Sequence, residues 1–426
     1  MKQTYYLPYG KTHLPLTLSE ENKVTTLTSA LSSYHPEKSQ EAIAKEALLS
    51  PFNAPLLSDL AKTAKTVVIV TSDHTRPMPS KITIPLLLEE IRIGNPEADI
   101  TILIATGCHR PTTRQEMAER FGADIVKKER ILVHNCDKGP FIYVGTSSSG
   151  NRILLNETAC KADLLIAEGF IEPHFFAGYS GGRKSILPGI AARSTIMHNH
   201  CSQNIANPHA AMGALESNPI HQDMIYAARA SRISFILNVI LNEDKKIIGA
   251  VSGDVEKAHK AGISFLEKLC RCQAQPSDIV ITTNGGFPLD QNIYQSVKGM
   301  TTASAVCKKN GVIIMASRCN DGHGGEDFYH TFSQEKDAKK IWDSICSRNP
   351  SDTLPDQWQS QIFCEILLKH TVIFVSDAPK EMVEAFHMIS SPNLEQALDL
   401  AKTLCNKERP SITLIPDGVS IIPSLV

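Results

Sequence analysis

The chain has 426 residues, 42% of them hydrophobic, more than a single core usually serves, so the sequence predicts two domains with room for a cleft. Lys and Arg total 43 against 45 Asp and Glu, a formal net charge of -2, which offers no basic field to hold a nucleic acid or an anionic membrane. No apolar run reaches the roughly 18 to 20 residues of a membrane span, Met1 to Tyr6 contain no apolar signal core, and the eleven cysteines form no CxxC pair, so the expectation is a soluble cytoplasmic protein with reduced thiols.

In chain order, strands are predicted at Val67–Val70, Ile100–Ala105, Ile131–Val133, Leu164–Ala167 and Phe235–Leu241. They alternate with helix-length segments over Pro79–Arg92 and Thr112–Phe121, the pattern of a parallel α/β sheet. After the polar stretch Gln273–Ser277 a second series begins, with strands at Ile279–Thr282, Val312–Met315, Val372–Val375 and Ile412–Ile415 and helices over Ile293–Lys309 and Asn393–Lys407. The reading is two layered α/β domains, residues 1–274 and 275–426, without internal repeats.

Functional residues of open α/β sheets gather at the carboxyl ends of the strands, and here those ends are polar. The first is followed by Thr71-Ser72-Asp73-His74-Thr75-Arg76-Pro77, the next by Thr106-Gly107-Cys108-His109-Arg110-Pro111, and the fourth by Glu168-Gly169-Phe170-Ile171-Glu172-Pro173-His174. Eight of the 15 histidines lie between residues 74 and 221. A lone imidazole is often an ordinary hydrogen-bonding group, but His109 and His174 on separate strand ends favour acid/base work.

Between Glu172 and His200, Gly178, Gly181 and Gly182 would let the backbone approach a bound group, with Arg183, Lys184 and Ser185 supplying charge and donors beside it. That suits a phosphate-bearing cofactor. The spacing matches neither a Walker loop, since Arg183 separates Gly182 from Lys184, nor the GxGxxG turn of a pyridine-nucleotide dehydrogenase. His198 and His200, two apart on one helix, would point to different sides, so at most one faces a common site. Cys201 reads as a small buried apolar residue. The histidine count alone also admits a non-catalytic metal- or ligand-binding scaffold.

The run from Glu172 to His200, together with Ser72–Pro77, Gly107–Thr112, Asn284-Gly285-Gly286-Phe287-Pro288 and Tyr294-Gln295-Ser296-Val297-Lys298, resembles the nickel-dependent lactate racemase family. The resemblance implies two α/β domains with the active site between them, and a nickel-pincer nucleotide (pyridinium-3-thioamide-5-thiocarboxylic acid mononucleotide) joined to Lys184, with Thr71, Asp73 and Ser185 as further cofactor contacts. His200 would ligate Ni, to which tetragonal imidazole coordination is suited. His109 and His174 would be the paired bases, Arg76, Lys298 and Gln295 the substrate contacts, and Tyr294 and Trp358 the cavity lining. Separate biosynthesis proteins would supply the cofactor.

The implied reaction makes chemical sense of these residue types. Taking the Cα proton of a 2-hydroxy acid would place a carbanion beside a carboxylate, whereas hydride transfer to a pyridinium with loss of the hydroxyl proton gives a planar 2-keto acid. The two enantiomers present the hydroxyl in different directions, so two bases are needed, and imidazole titrates near neutral pH. Lactate is the expected substrate because Tyr294 and Trp358 leave little room; longer aliphatic, aromatic, malate-like or aldonate 2-hydroxy acids are the alternatives on the same scaffold.

Overall fold

The computed structural model describes residues 2–19, 23–407 and 409–426. Its contacts divide the chain into two compact units, one of Ala30–His200 and Asn207–Leu269, the other of Met1–Ser29, Cys201–Ala206 and Cys270–Val426. The division expected near residue 275 falls at Cys270. The opening residues, expected with the first domain, pack instead with the second, because the hairpin of Lys2–Tyr9 and Thr12–Ser19 adds Leu7, Tyr9, Leu16 and Leu18 to the core around Ile279, Ile281 and Leu414.

In the first unit, six strands lie in the order Ile247–Gly253, Phe235–Leu241, Leu164–Phe170, Thr66–Ser72, Asp99–Ala105, Arg130–Val133, parallel except for the antiparallel pair at the Ile247–Gly253 edge. This is the doubly wound order, reversing between Thr66–Ser72 and Leu164–Phe170, where the crevice for a ligand opens at the carboxyl ends. Val67 to Val70 are buried on both faces, as a covered parallel sheet requires. Helix Ser80–Gly94 buries Ile84, Leu87, Leu88 and Ile91, the i, i+3, i+4, i+7 stripe of a helix lying on a sheet. Helix Arg114–Phe121 starts from a capping box of Thr113 and Glu116. The strand predicted to end at Ala167 continues to Phe170, which places Glu168, read as a polar strand end, inside the sheet and fully buried.

The second unit has its own all-parallel sheet, in the order Ile389–Ser391, Thr371–Val375, Cys307–Ala316, Ser277–Thr283, Ile412–Ile415, Val24–Thr26. The helix expected over Ile293–Lys309 stops at Val306, since Lys309 already belongs to the strand Cys307–Ala316. Asn292 caps that helix, its side-chain oxygen accepting from the Gln295 N–H at 3.0 Å. No helix among the described residues is long and apolar enough to cross a membrane.

Candidate active site

Asp73 follows its strand directly and is buried, with 1% of its surface exposed. One carboxylate oxygen accepts from the Thr75 N–H at 3.1 Å and the Thr75 hydroxyl at 2.6 Å, closing the turn; the other meets His109 Nδ1 at 2.6 Å. Burial alone would raise the Asp73 pKa, but the hydrogen bond and charge of His109, with Thr75 and Arg76, outweigh it and lower it to about 2. Because a carboxylate only accepts, the proton of a neutral His109 sits on Nδ1 and its lone pair on Nε2. His74 is spent differently, with Nδ1 3.2 Å from the Thr112 hydroxyl beside the helix cap. Arg76 donates to the Thr75 hydroxyl at 3.0 Å, and its carbonyl accepts from Arg120 at 2.8 Å.

The neighbouring strand feeds a short hairpin in which Pro173–His174 pairs with Gly178–Tyr179. One ring gathers what surrounds it. Phe176, 4% exposed, meets His174 edge-on at 4.5 Å between centroids and His200 edge-on at 5.2 Å, while Lys184 Nζ lies 5.8 Å above it. Phe175 stacks on His174 at 5.0 Å. The Ala177 N–H faces His174 Nδ1 at 3.2 Å, so a neutral His174 carries its proton on Nε2, the opposite tautomer to His109.

His200 ends the helix Arg193–Asn199 and is 5% exposed. Its Nδ1 donates to the Ile196 carbonyl at 3.1 Å, which leaves the lone pair on Nε2. Burial first, then the charge of Lys184, lowers its pKa to about 3 and keeps it neutral. Lys184 sits in the turn Gly182–Ser185, with its N–H on the Gly181 carbonyl at 3.1 Å. Close packing alone already requires two of the glycines: a Cβ on Gly181 (φ 76°) would stand 2.9 Å from the Phe170 carbonyl oxygen, and one on Gly182 (φ 52°) 2.8 Å from the His259 ring. Arg183, expected beside the cofactor, is turned inward and fully buried.

In the second unit, Tyr294, Gln295 and Lys298 occupy the first turns of helix Ile293–Val306, with 294 and 298 one turn apart on the same face. The Tyr294 hydroxyl donates to Asp356 at 2.8 Å, and the Gln359 amide donates to the Tyr294 carbonyl at 2.5 Å. Those bonds tie Tyr294 to the start of helix Gln357–Lys369, which carries Trp358. The Gln295 Oε1 is buried without a hydrogen bond among the described residues.

Residues 9–213 match the family model of the lactate racemase N-terminal domain and residues 272–423 that of the C-terminal domain. The chain is 51% identical over 418 residues to a lactate racemase of Thermoanaerobacterium thermosaccharolyticum and 46% identical over 418 residues to one of Lactiplantibacillus plantarum, each alignment covering 98% of both chains. The chain belongs to the lactate racemase family. The solved apoprotein of the Thermoanaerobacterium thermosaccharolyticum lactate racemase superposes with a TM-score of 0.95 at 50% identity, over 99% of this chain and 100% of that one. A Thermotoga maritima protein shares the fold at a TM-score of 0.64 and 18% identity, over 91% of this chain and 98% of that one.

Among the described residues no group of three or more His, Cys, Asp or Glu could hold a metal ion. A metal here would take its remaining donors from a cofactor, with His200 giving one neutral nitrogen from a tautomer already set by Ile196. Lys184, on the same aromatic ring, is the amine within reach of that imidazole. These residues fit a nickel-pincer nucleotide. The Thr71 hydroxyl donates to Glu168 at 2.5 Å, and Ser185 lies beside Gly169. Sequence reasoning reads Phe175 and Phe176 only as neighbours that could keep His174 neutral by desolvation; it does not foresee that Phe176 also meets His200 and Lys184, nor that Glu168 is tied to Thr71, Ser80 and Thr83.

Proposed function

We propose that this enzyme interconverts the enantiomers of lactate, with Lys184 as the covalent anchor of a nickel-pincer nucleotide and His200 as the protein's ligand to nickel. The observation that carries this reading is the gathering of His174, Lys184 and His200 around Phe176, in a chain that is half identical to lactate racemases along its length. When bound, the cofactor would supply an electron-poor pyridinium able to take hydride from the substrate carbon, so that the substrate passes through pyruvate.

The chain's own residues manage protons and position. His109 accepts the hydroxyl proton at Nε2, and Asp73 stabilises the imidazolium that forms. His174, with its proton at Nε2, faces the oxygen as a donor. The two neutral imidazoles thus rest in opposite tautomers. The ring that returns a proton to the substrate oxygen does so as the imidazolium, and losing its Nε2 proton leaves it neutral; the other ring takes the hydroxyl proton, and the two exchange these roles when the other enantiomer is bound. Phe175 and Phe176 exclude water from His174, which strengthens its hydrogen bonds. Arg76, at the end of its strand, is the candidate for the substrate carboxylate. Lys298 and Gln295, with Tyr294 and Trp358, are the candidates on the second unit.

The test is intact-mass and nickel analysis of chain produced together with the cofactor-making proteins, followed by a chiral assay over a panel of 2-hydroxy acids. Added mass on Lys184 and turnover of lactate are expected, and Lys184→Ala should abolish both. Wild-type chain that racemises lactate without added mass on Lys184 would overturn the anchor assignment. Separately, Lys298→Ala should raise KM by about tenfold or more, the loss expected for a charge-assisted contact, with nickel content unchanged. Loss of nickel in that variant would contradict a substrate-binding role.

A further inference from the structure

Next to Lys184 the chain buries a charge that the chemistry above leaves unused. The Arg183 guanidinium, fully buried, donates from Nη2 to the Ala177 carbonyl at 2.7 Å, from Nη1 to the Tyr179 carbonyl at 2.7 Å and the Gly181 carbonyl at 3.3 Å, and from Nε to His221 Nδ1 at 3.0 Å. All four acceptors are neutral. Three are carbonyls at alternate residues of the segment leading into Arg183, so the side chain stitches its own approach loop into a curl. The fourth must be unprotonated to accept, which fixes His221 as the Nε2–H tautomer.

Desolvating a guanidinium without a carboxylate partner is costly, and an apolar side chain would fill the same volume at lower cost. Desolvation lowers the Arg183 pKa to about 9, still a cation at neutral pH. His221 and His259 close around it. His221 is lowered to about 3, by burial and then by Arg183 and Lys260; His259, lowered by burial and then Arg183, donates from Nε2 to the Ser180 carbonyl at 2.7 Å and packs under Gly182. The turn is also held from the sheet, where the Asn238 side-chain oxygen accepts from the Gly182 N–H at 2.7 Å.

The curl joins two functional residues. Gly178 pairs with His174 at one end, and the carbonyl of Gly181 starts the single turn that presents Lys184 at the other. We propose that Arg183 is a positioning residue that fixes the separation of His174 and Lys184 by clamping the carbonyls between them, an inference that rests on the reading of Lys184 as the cofactor anchor. His221 acts through it by orienting the guanidinium.

Arg183→Lys keeps the charge but cannot span four acceptors. In apoprotein, hydrogen exchange of residues 173–185 should quicken about tenfold, and the rate of Lys184 acylation by an amine-reactive ester should change about fivefold relative to surface lysines, while the melting temperature stays within about 5 °C. In chain made with the cofactor pathway, the fraction carrying added mass on Lys184 should fall, and the loaded fraction should show a kcat about tenfold lower with KM for lactate unchanged. If Arg183→Lys does not fold, the pair His221→Gln and His221→Leu decides: the amide restores an acceptor and should keep wild-type exchange and labelling, and the leucine should not. Wild-type exchange and Lys184 labelling in Arg183→Lys, or in His221→Leu where the lysine variant does not fold, would overturn the clamp. Absence of added mass on wild-type Lys184 would instead overturn the anchor reading and leave the apoprotein result standing on its own.

Discussion

At Asp73 a carboxylate is kept ionised in a buried setting by what it holds, and the same contacts choose the tautomer of His109. Asp73→Asn keeps the shape but loses the charge that stabilises a protonated His109. We expect kcat to fall about 100-fold or more with added mass on Lys184 unchanged, since general-base catalysis by a positioned imidazole contributes on that order; an unaltered kcat would remove His109 from the proton path. Asp73 and His109 were each legible in the sequence, because both follow strands and the resemblance names both, but that the two meet was not. Arg183 was not. A charged residue among glycines reads as an exposed donor, and only the inward turn of the Gly181–Ser185 segment shows that its partners are carbonyls of its own loop.

At the scale of elements, the crevice depends on two adjacent strands keeping their register at their carboxyl ends, and a buried acid joins them. Glu168, 0% exposed, accepts from the Thr71 hydroxyl at 2.5 Å, the Ser80 hydroxyl at 2.5 Å and the Thr83 hydroxyl, which links strand Leu164–Phe170 to strand Thr66–Ser72 and to helix Ser80–Gly94. Glu168→Leu strands three hydroxyls in the interior, and unfolding free energy should drop by about 3 kcal/mol or more, read from the urea midpoint; a loss below about 1 kcal/mol would show that the hydroxyls find other acceptors. The strands themselves were readable because doubly covered parallel strands are nearly continuous apolar runs. Their order was not, since no residue of a strand states which strand lies beside it. The reversal between Thr66–Ser72 and Leu164–Phe170 emerges only from the pairing.

For the molecule as a whole, buried neutral histidines set the response to acid. His134, His221 and His259 all belong to the first unit, and burial first of all lowers the pKa of each, to about 3 in His221. Unfolding frees these rings to bind protons near pH 6.5, so between that pH and their folded values the unfolded state holds more protons and stability falls as pH falls. Asp73 adds the same sign lower down, its contribution present above about pH 4 and lost as pH drops toward 2. Thermal melts from pH 7 to pH 4 should therefore show a falling melting temperature, with hydrogen exchange of residues 30–200 quickening before that of residues 270–426; a flat profile would mean that the rings are not neutral in the fold. The sequence showed how many histidines there are, while their burial is a property of the packing.

The allegiance of the first strands bears on how the chain is made. Lys2–Tyr9, Thr12–Ser19 and Val24–Thr26 precede the doubly wound unit in the chain, yet Val24–Thr26 pairs with Ile412–Leu414 and the hairpin covers a core that includes Ile279, Ile281 and Leu414. During synthesis these segments have no native seat until Ile412–Leu414 have been made, so the doubly wound unit around Lys184 can close while the other is still incomplete.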